Sequence, residues 1–348
     1  MVKETLPKNQ ELVKPEKIKK VATYCRDVLG ELDRILLGRE TLHKMVLIGI
    51  LSKGHILLEG VPGVGKTALV KALGKLLDLK FKRVQFTPDL MPSDILGMHV
   101  LQDNGEGKRE MLFQPGPIFT NILLADEINR ASPKTQSAML EAMQESCVTL
   151  LGETRSIDRP FFVLASQNPI ELKGTYPLPE AQLDRFLLKL QVLNVKAEIL
   201  ENIIGTRRRG ELPSPKQVLK SEQLSELFEV MNEIYLPRAI ARYISRLVAA
   251  THPDSENSIQ VVKDYVAFGA SPRAAIGIAE AARANALLNC RPTAGFDDVS
   301  FVTEAVLNHR IILNYKAKFD NVTPNSVARE LIAKIDETGM ELPKEIKV

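Results

Sequence analysis

Residues Gly60–Thr67 read Gly-Val-Pro-Gly-Val-Gly-Lys-Thr, and this stretch decides the fold of the chain. It has the spacing of a phosphate-binding loop: a glycine, four free residues, then Gly-Lys-Thr. The apolar run before it, His55–Glu59, is typical of a buried strand, and the periodic run after it, Ala68–Leu73, is typical of a helix. Strand, loop and helix together predict a site for a nucleoside triphosphate.

Each fixed residue of the loop has a physical reason. Gly60, Gly63 and Gly65 permit turns with positive φ, which point backbone N–H groups at an anion. The start of the following helix adds its positive dipole end. Lys66 is expected to contact the β- and γ-phosphates, and the hydroxyl of Thr67 to hold Mg²⁺. The residues predicted to contact nucleotide are Gly60, Val61, Pro62, Gly63, Val64, Gly65, Lys66, Thr67, Ala68 and Asp126.

Composition limits the classes of protein to which the chain can belong. The chain has 348 residues, of which 45% are hydrophobic, enough for two well-filled domains. Its net charge of +3 gives no support by itself for a nucleic-acid-binding protein. The three cysteines, Cys25, Cys147 and Cys290, lack the spacing of a metal site or a disulfide framework, which indicates free thiols in a reducing compartment.

The first residues, Met1–Thr5, lack the apolar core of a signal peptide, and no apolar run reaches the length of a membrane span. These features predict a soluble cytoplasmic protein without membrane insertion.

Periodicity predicts three parts: a flexible tail over 1–16, an α/β domain over 17–195, and a helical domain over 196–348. The α/β part is predicted to hold a mostly parallel sheet flanked by helices. The predicted helices of this part run over 18–37 and 41–51, and its further strands over 81–86, 122–125 and 161–165. Proline breaks separate the helical patterns after Val195, and a terminal helix is predicted over 323–335.

Two insertions interrupt the α/β alternation. Val100–Met111 has paired turn signals between apolar flanks and predicts a projecting loop or hairpin, while Val148–Ile157 predicts a β-hairpin that turns near Gly152-Glu153. From the pattern alone, either insertion can be a surface excursion without function.

A pair of carboxylates ends the third predicted strand. Asp126 and Glu127 follow Ile122–Ala125, a continuously apolar run of the kind that is buried on both faces of a sheet. Ligands of such sheets bind beyond the carboxyl ends of the strands. Asp126 is therefore the candidate for the Mg²⁺ side, and Glu127 for orienting and deprotonating the attacking water.

The next strand repeats this design. Phe161–Ala165 is followed by Ser166-Gln167-Asn168-Pro169. Asn168 can hydrogen-bond the γ-phosphate or the attacking water, although asparagine before proline is also a common turn residue.

These features resemble the AAA+ ATPases, and more closely the MoxR family. The order of motifs matches: the Gly60–Thr67 loop, the carboxylate pair, Asn168, Leu183–Phe186 and Ser271–Arg273. The resemblance covers about residues 38 to 315, and the segments that resemble MoxR proteins are Gln85–Leu90, Pro92–Asp94, Gly116–Phe119, Asp126–Ala131, Ser166–Pro169 and Gly174–Phe186. It implies a P-loop ATPase core with a smaller all-α lid.

The resemblance also implies catalytic roles. Asp126 and Glu127 would form the Walker B pair, and Asn168 would be the sensor 1 residue. Arg185 resembles the arginine finger that a neighbouring subunit supplies, and Arg273 resembles the sensor 2 arginine of the lid. Guanidinium groups suit these roles because they fork onto the oxygens of a phosphoryl group that gains charge.

Three alternative interpretations of the arginines remain open. Arg130 is a rival for the role in trans. Arg185 can instead form a structural pair with Asp184 at a helix end. Arg273 can be an ordinary surface residue, although arginine opposes the dipole at a helix start.

The family implies a homo-oligomer, commonly a hexamer, because a finger in trans needs a neighbour. It places the helix-2 insert at Val100–Met111 and the pre-sensor 1 hairpin at Val148–Ile157, both facing a central channel. Deletion of the tip Gly105–Lys108 is expected to leave basal hydrolysis intact while uncoupling it from the client. No histidine spacing suggests a further metal, so ATP and Mg²⁺ are the expected cofactors.

The resemblance thus implies an ATPase that remodels or matures a protein client, with a von Willebrand factor A domain protein as an expected partner. A nucleic-acid motor is the first alternative; the near-neutral Val148–Ile157 hairpin, with Glu153 beside Arg155, argues against it. A nucleotide-controlled scaffold with little hydrolysis is the second; Glu127 and Arg185 argue against that one, because a switch needs neither.

Overall fold

The structure is a computed structural model that describes residues 12–103, 109–169, 174–208 and 211–337. The chain divides into two compact units. The sheet unit comprises Asp27–Ser221, and the helical unit comprises the described parts of Met1–Arg26 and Glu222–Val348. The boundary near Arg26 lies inside the first helix, α1 (Pro15–Ile35).

A five-stranded sheet forms the centre of the sheet unit, in the order β2-β5-β8-β1-β9. All four neighbouring pairs are parallel. Consequently the carboxyl ends of all five strands meet at one edge, where ligands of such sheets bind. The strands are β1 (Ile56–Glu59), β2 (Phe81–Gln85), β5 (Ile122–Asp126), β8 (Phe162–Gln167) and β9 (Leu188–Gln191).

Burial explains why these runs are strands. All five residues of β5 are buried, as are the first five of β8, which is expected of central strands covered on both faces. The covering helices and short helical turns of this unit are α2 (Glu40–Leu51), α3 (Lys66–Leu76), α4 (Pro92–Leu96), a 3₁₀ turn (Ile128–Arg130), α5 (Pro133–Glu145), α6 (Glu180–Leu183) and α7 (Ala197–Thr206).

Both insertions are antiparallel hairpins. The first pairs β3 (Gly97–Asp103) with β4 (Arg109–Pro115), and the predicted tip Gly105–Lys108 lies outside the described residues. The second pairs β6 (Cys147–Leu150) with β7 (Glu153–Ser156) and turns at Leu151-Gly152, both with positive φ. Two consecutive residues with positive φ are typical of a type I′ turn, whose twist matches the strands.

The helical unit packs its helices around apolar faces and contains one short two-stranded sheet, β10–β11. Its buried side chains include Ile240, Tyr243, Leu247, Ile278 and Val302. The elements are α8 (Ser221–Glu233), α9 (Arg238–Ala249), α10 (Gln260–Tyr265), β10 (Val266–Phe268), α11 (Pro272–Leu288), α12 (Phe296–Leu307), β11 (Ile312–Leu313), α13 (Tyr315–Phe319) and α14 (Pro324–Lys334).

The predicted α/β core with a helical second part is confirmed, and in the described residues both insertions pair as antiparallel strands where the sequence placed them. The sequence did not single out β9, although Leu188, Leu190 and Val192 alternate with more exposed residues. The predicted tail lies outside the described residues over 1–11, while 15 and 16 already belong to α1.

None of the helices in the described part of the chain combines the length and apolar character that a membrane span requires. The three cysteines all lie in the described part, and their thiols are free. Burial raises the pKa of the Cys25 thiol to about 12.

Candidate active site

The Gly-rich loop joins β1 to α3 at the carboxyl edge of the sheet. Gly63 and Gly65 have φ values of 82° and 86°, the left-handed region that favours glycine. Gly65 is the N-cap of α3, so the first free N–H groups of that helix border the loop. The loop therefore has the backbone that binding a phosphate group requires.

Gly60 is needed for a different reason from the predicted one. The prediction of positive φ is wrong at this position. A Cβ on Gly60 would lie 2.6 Å from the carbonyl oxygen of Val192, which follows β9. Glycine is required here because the backbone of the neighbouring strand passes too close for any side chain.

Lys66, the first residue of α3, is buried, and its ammonium donates to the carbonyl oxygen of Gly60. Burial lowers the pKa of Lys66, and the charges of Asp126, Glu127 and Glu59 oppose that change. The ammonium has no carboxylate within ion-pair distance in the described structure, so it is held by its own loop. An anion that enters the loop would supply the missing counter-charge.

Asp126 is the last residue of β5, and each of its carboxylate oxygens has partners. The hydroxyl of Ser166 donates to Oδ1. Oδ2 accepts from Nε and Nη2 of Arg83 at 3.0 and 2.7 Å, and it lies 3.4 Å from Oγ1 of Thr67. Asp126 and Thr67 thus lie side by side, as the sequence predicted for a cation site.

Glu127 adopts a left-handed backbone, with φ 57° and ψ 49°. This conformation is uncommon for a residue other than glycine and indicates a constrained turn. The backbone N–H of Glu127 donates to Ser166 Oγ at 2.9 Å. Its carboxylate accepts from Gln85 Nε2 at 2.9 Å and pairs with Arg130 at 3.1 Å.

Asn168 follows β8 and is 5% exposed. The backbone N–H of Gly60, the first residue of the loop, donates to the carbonyl oxygen of Gln167. Asn168 is the next residue along the chain and therefore follows directly on this contact with the loop. The structure therefore gathers the loop, Asp126, Glu127 and Asn168 at one edge of one sheet.

The three arginines lie in different settings. Arg130 contacts Glu127 of its own chain. Arg185 donates from Nη1 to the carbonyl oxygen of Leu140 on α5, at 2.7 Å. Arg273 is the second residue of α11 and belongs to the helical unit.

A groove of about 410 Å³ lies next to the loop, lined by residues of the segments 38–42 and 191–199. The chain just before the first segment and the start of the second lie close to the loop: a Cβ on Gly65 would lie 3.6 Å from Leu36, and Val192 borders Gly60. Sequence reasoning missed this groove, although Gly38, with φ 73°, marks a sharp turn between two helices.

The donors present fit a hard divalent cation. Asp126 offers a carboxylate oxygen and Thr67 a hydroxyl oxygen, and Mg²⁺ in phosphate sites is held by one or two such groups together with substrate phosphates. Across the described ranges, no cluster of three or more His, Cys, Asp or Glu side chains could hold a metal by itself.

Three side chains at this edge were not predicted: Arg83, Gln85 and Ser166. Arg83 and Gln85 alternate with the buried Val84 along β2, which is the signal that could have shown them on one face. Their contacts depend on β2 lying beside β5 and β5 beside β8, and that strand order cannot be taken from one sequence.

Comparison with known families matches two models to the chain. Residues 55–188 match the ATPase family associated with various cellular activities, and residues 259–331 match the AAA lid domain. The first match spans the loop, Asp126, Glu127, Asn168 and Arg185, and the second spans Arg273.

Relatives match over most of the chain. The Chaperone MoxR1 of Mycobacterium tuberculosis is 44% identical over 302 residues, which cover 87% of this chain and 79% of the relative. The Protein MoxR of Methylorubrum extorquens is 27% identical, covering 85% and 90%. A crystal structure from Cytophaga hutchinsonii, described as a candidate ATPase, is 38% identical with a TM-score of 0.83, covering 92% of this chain and 97% of that one.

Proposed function

The chain belongs to the MoxR family of AAA+ ATPases, and from that premise we propose that it uses Mg²⁺-dependent ATP hydrolysis to remodel or mature a protein client. The observation that carries this proposal is the meeting of Lys66, Thr67, Asp126, Glu127 and Asn168 at one sheet edge. The resemblance by itself supports an ATPase in general; this geometry supports the assignment of roles.

The loop binds the phosphates. The backbone N–H groups of the loop residues other than Pro62 and the ammonium of Lys66 would face the phosphates, and the adenine ring would lie in the groove lined by segments 38–42 and 191–199. Thr67 and Asp126 would hold Mg²⁺, and the ion would supply positive charge to the phosphate oxygens.

Glu127 is the proposed base. Its carboxylate orients the attacking water and accepts a proton from it, and Asn168 hydrogen-bonds the γ-phosphate or the same water. Ser166 links the two acidic residues, since its hydroxyl donates to the Asp126 carboxylate and accepts from the backbone N–H of Glu127.

Arg185 is proposed to act on the nucleotide of a neighbouring copy, and Arg273 on a bound nucleotide as the lid arginine. Arg130 is the weaker candidate for action in trans, because it already pairs with Glu127 of its own chain. A finger in trans needs an oligomer, and the family favours a hexamer. The catalytic core is proposed to be 17–195 and the lid 196–348.

Exposed apolar side chains support a protein client over a nucleic acid. Leu101, Met111 and Leu112 on the β3–β4 hairpin are about half exposed, and Leu151 at the tip of the second hairpin is 81% exposed. Flexible methionines suit an adaptable contact with polypeptide. A nucleic-acid channel would instead need a basic stripe. We propose a cytoplasmic location and a von Willebrand factor A domain protein as a partner.

The test is ATP turnover beside nucleotide binding for Glu127→Gln and Lys66→Ala. Glu127→Gln should lower turnover by roughly a hundredfold while ATP still binds, since only the base is lost. Lys66→Ala should weaken binding itself. Full turnover in Glu127→Gln would contradict the assignment, and strong stimulation by DNA that vanishes with salt would favour the nucleic-acid motor.

A further inference from the structure

We propose that Arg83 competes with the divalent cation for Asp126. Its guanidinium is the protein's own cation at this carboxylate, and it must leave Oδ2 before a metal ion can be held there. This inference rests on the proposed function, because it concerns the site that Thr67 and Asp126 form for Mg²⁺.

The sheet places Arg83 opposite its partner. Gln85 pairs with Asp126 in the register between β2 and β5, and Arg83 stands two residues earlier on the same strand. Because side chains alternate along a strand, Arg83 and Gln85 share one face while Val84 packs into the core on the other. Arg83 therefore lies on the sheet face that carries Asp126.

The contact is specific to one oxygen. Both Nε and Nη2 of Arg83 donate to Oδ2 of Asp126, at 3.0 and 2.7 Å, while Oδ1 is occupied by Ser166. Oδ2 is also the oxygen that lies 3.4 Å from Thr67 Oγ1. A cation held between Thr67 and Asp126 needs the same lone pairs that Arg83 uses.

Exposure distinguishes this role from a purely structural one. The side chain of Arg83 is 46% exposed, whereas that of Asp126 is 10% exposed. Arg83 stands on an edge strand with its side chain half exposed, so its guanidinium can turn into solvent when it leaves Asp126. The guanidinium can also withdraw at low cost, because Nη2 keeps the Gln85 side-chain oxygen, 2.6 Å away, as a partner.

The experiment measures the affinity for ADP by calorimetry, once with saturating Mg²⁺ and once with EDTA. The dissociation constant with EDTA, divided by the dissociation constant with Mg²⁺, reports how strongly the metal ion and ADP favour each other's binding. It is compared among wild type, Arg83→Gln and Lys82→Gln. Lys82 is the exposed neighbour on the same strand, so Lys82→Gln removes one positive charge without touching Asp126 in the described structure.

Arg83→Gln should raise this ratio roughly tenfold, the size of a charge-assisted contact that no longer has to be broken. Lys82→Gln should keep the wild-type ratio. Arg83→Lys, which retains the charge but loses the two-point contact, is expected between wild type and Arg83→Gln and serves if Arg83→Gln unfolds.

Two results would overturn the inference. An unchanged or lower ratio in Arg83→Gln would mean that Arg83 supports the cation site instead of competing for it. An equal rise in Lys82→Gln would mean that only net charge matters. If the wild type does not bind ADP, or binds it without any effect of Mg²⁺, the proposed function itself fails. The wild-type measurement thus separates a failure of the proposed function from a failure of the inference about Arg83.

Discussion

At the scale of single residues, the buried side chain of His55 is held in one protonation state by its two hydrogen bonds. Its Nδ1 accepts from the backbone N–H of Val163 at 3.0 Å, so Nε2 carries the proton and donates to the carbonyl oxygen of Met143 at 3.1 Å. Burial lowers the pKa of His55 to about 4. A second proton would face the N–H of Val163, so the ring stays neutral in the folded protein.

This arrangement predicts a pH dependence of stability. The unfolded chain binds a proton at its ordinary value of about 6.5, while the folded chain binds it only near 4. The contribution of neutral His55 is thus complete above pH 6.5 and is lost as pH falls toward 4, by up to about 3 kcal/mol.

Urea unfolding between pH 4.5 and 7.5 measures this. His55→Gln should flatten the rise in unfolding free energy over this range and leave the part due to His43, whose pKa burial also lowers. A variant with the wild-type steepness would contradict the assignment.

At the scale of elements, one arginine of the second hairpin contacts two rings of the first. The guanidinium carbon of Arg155 on β7 lies 4.0 Å from the centre of the Phe113 ring on β4. Nη2 of the same arginine lies 3.4 Å from His99 on β3. Strand β7 leads into β8 and so toward Asn168. The two contacts of Arg155 therefore connect the edge of the site with the β3–β4 hairpin.

We predict that Arg155→Gln frees the β3–β4 hairpin without changing basal ATP turnover. Amide exchange over 97–103 should become faster, because the cation–π contact is worth roughly 0.5–1 kcal/mol at a partly exposed position. Thr154→Val is the control: it removes only a hydroxyl contact to Thr149 inside the second hairpin. Unchanged exchange in Arg155→Gln, or an equal change in the control, would contradict the coupling.

The elements also show which parts of the site could be predicted from local sequence patterns. The apolar runs of β5 and β8 and the glycine spacing of the loop are local signals. They placed Asp126, Glu127 and Asn168 correctly at the ends of strands, and Lys66 where the loop meets the following helix. The contacts of Arg83 and Ser166 depend on which strands are neighbours, which a local pattern does not contain. Gly60 was explained wrongly for the same reason, because its constraint comes from Val192, which is far away in sequence and follows the neighbouring strand β9.

At the scale of the whole molecule, the role proposed for Arg185 requires a second copy of the chain. Arg130 contacts Glu127 of its own chain, while Arg185 donates to the carbonyl oxygen of Leu140 and, within the described residues, forms no hydrogen bond or ion pair with the loop. If Arg185 completes the site of a neighbour, wild-type turnover per protomer should rise with protein concentration until assembly is complete. A rate that is independent of concentration, down to concentrations at which the protein is monomeric, would oppose this.

One measurement tests the central claim most directly: ATP turnover of Glu127→Gln and Arg185→Ala, each alone and then mixed. Each variant alone should be nearly inactive, since one lacks the base and the other the arginine. In the mixture, intact Glu127 of one copy meets intact Arg185 of the next, so turnover should return. A mixture of assembled subunits that stays inactive, or full activity of Arg185→Ala alone, would contradict a site shared between neighbouring copies.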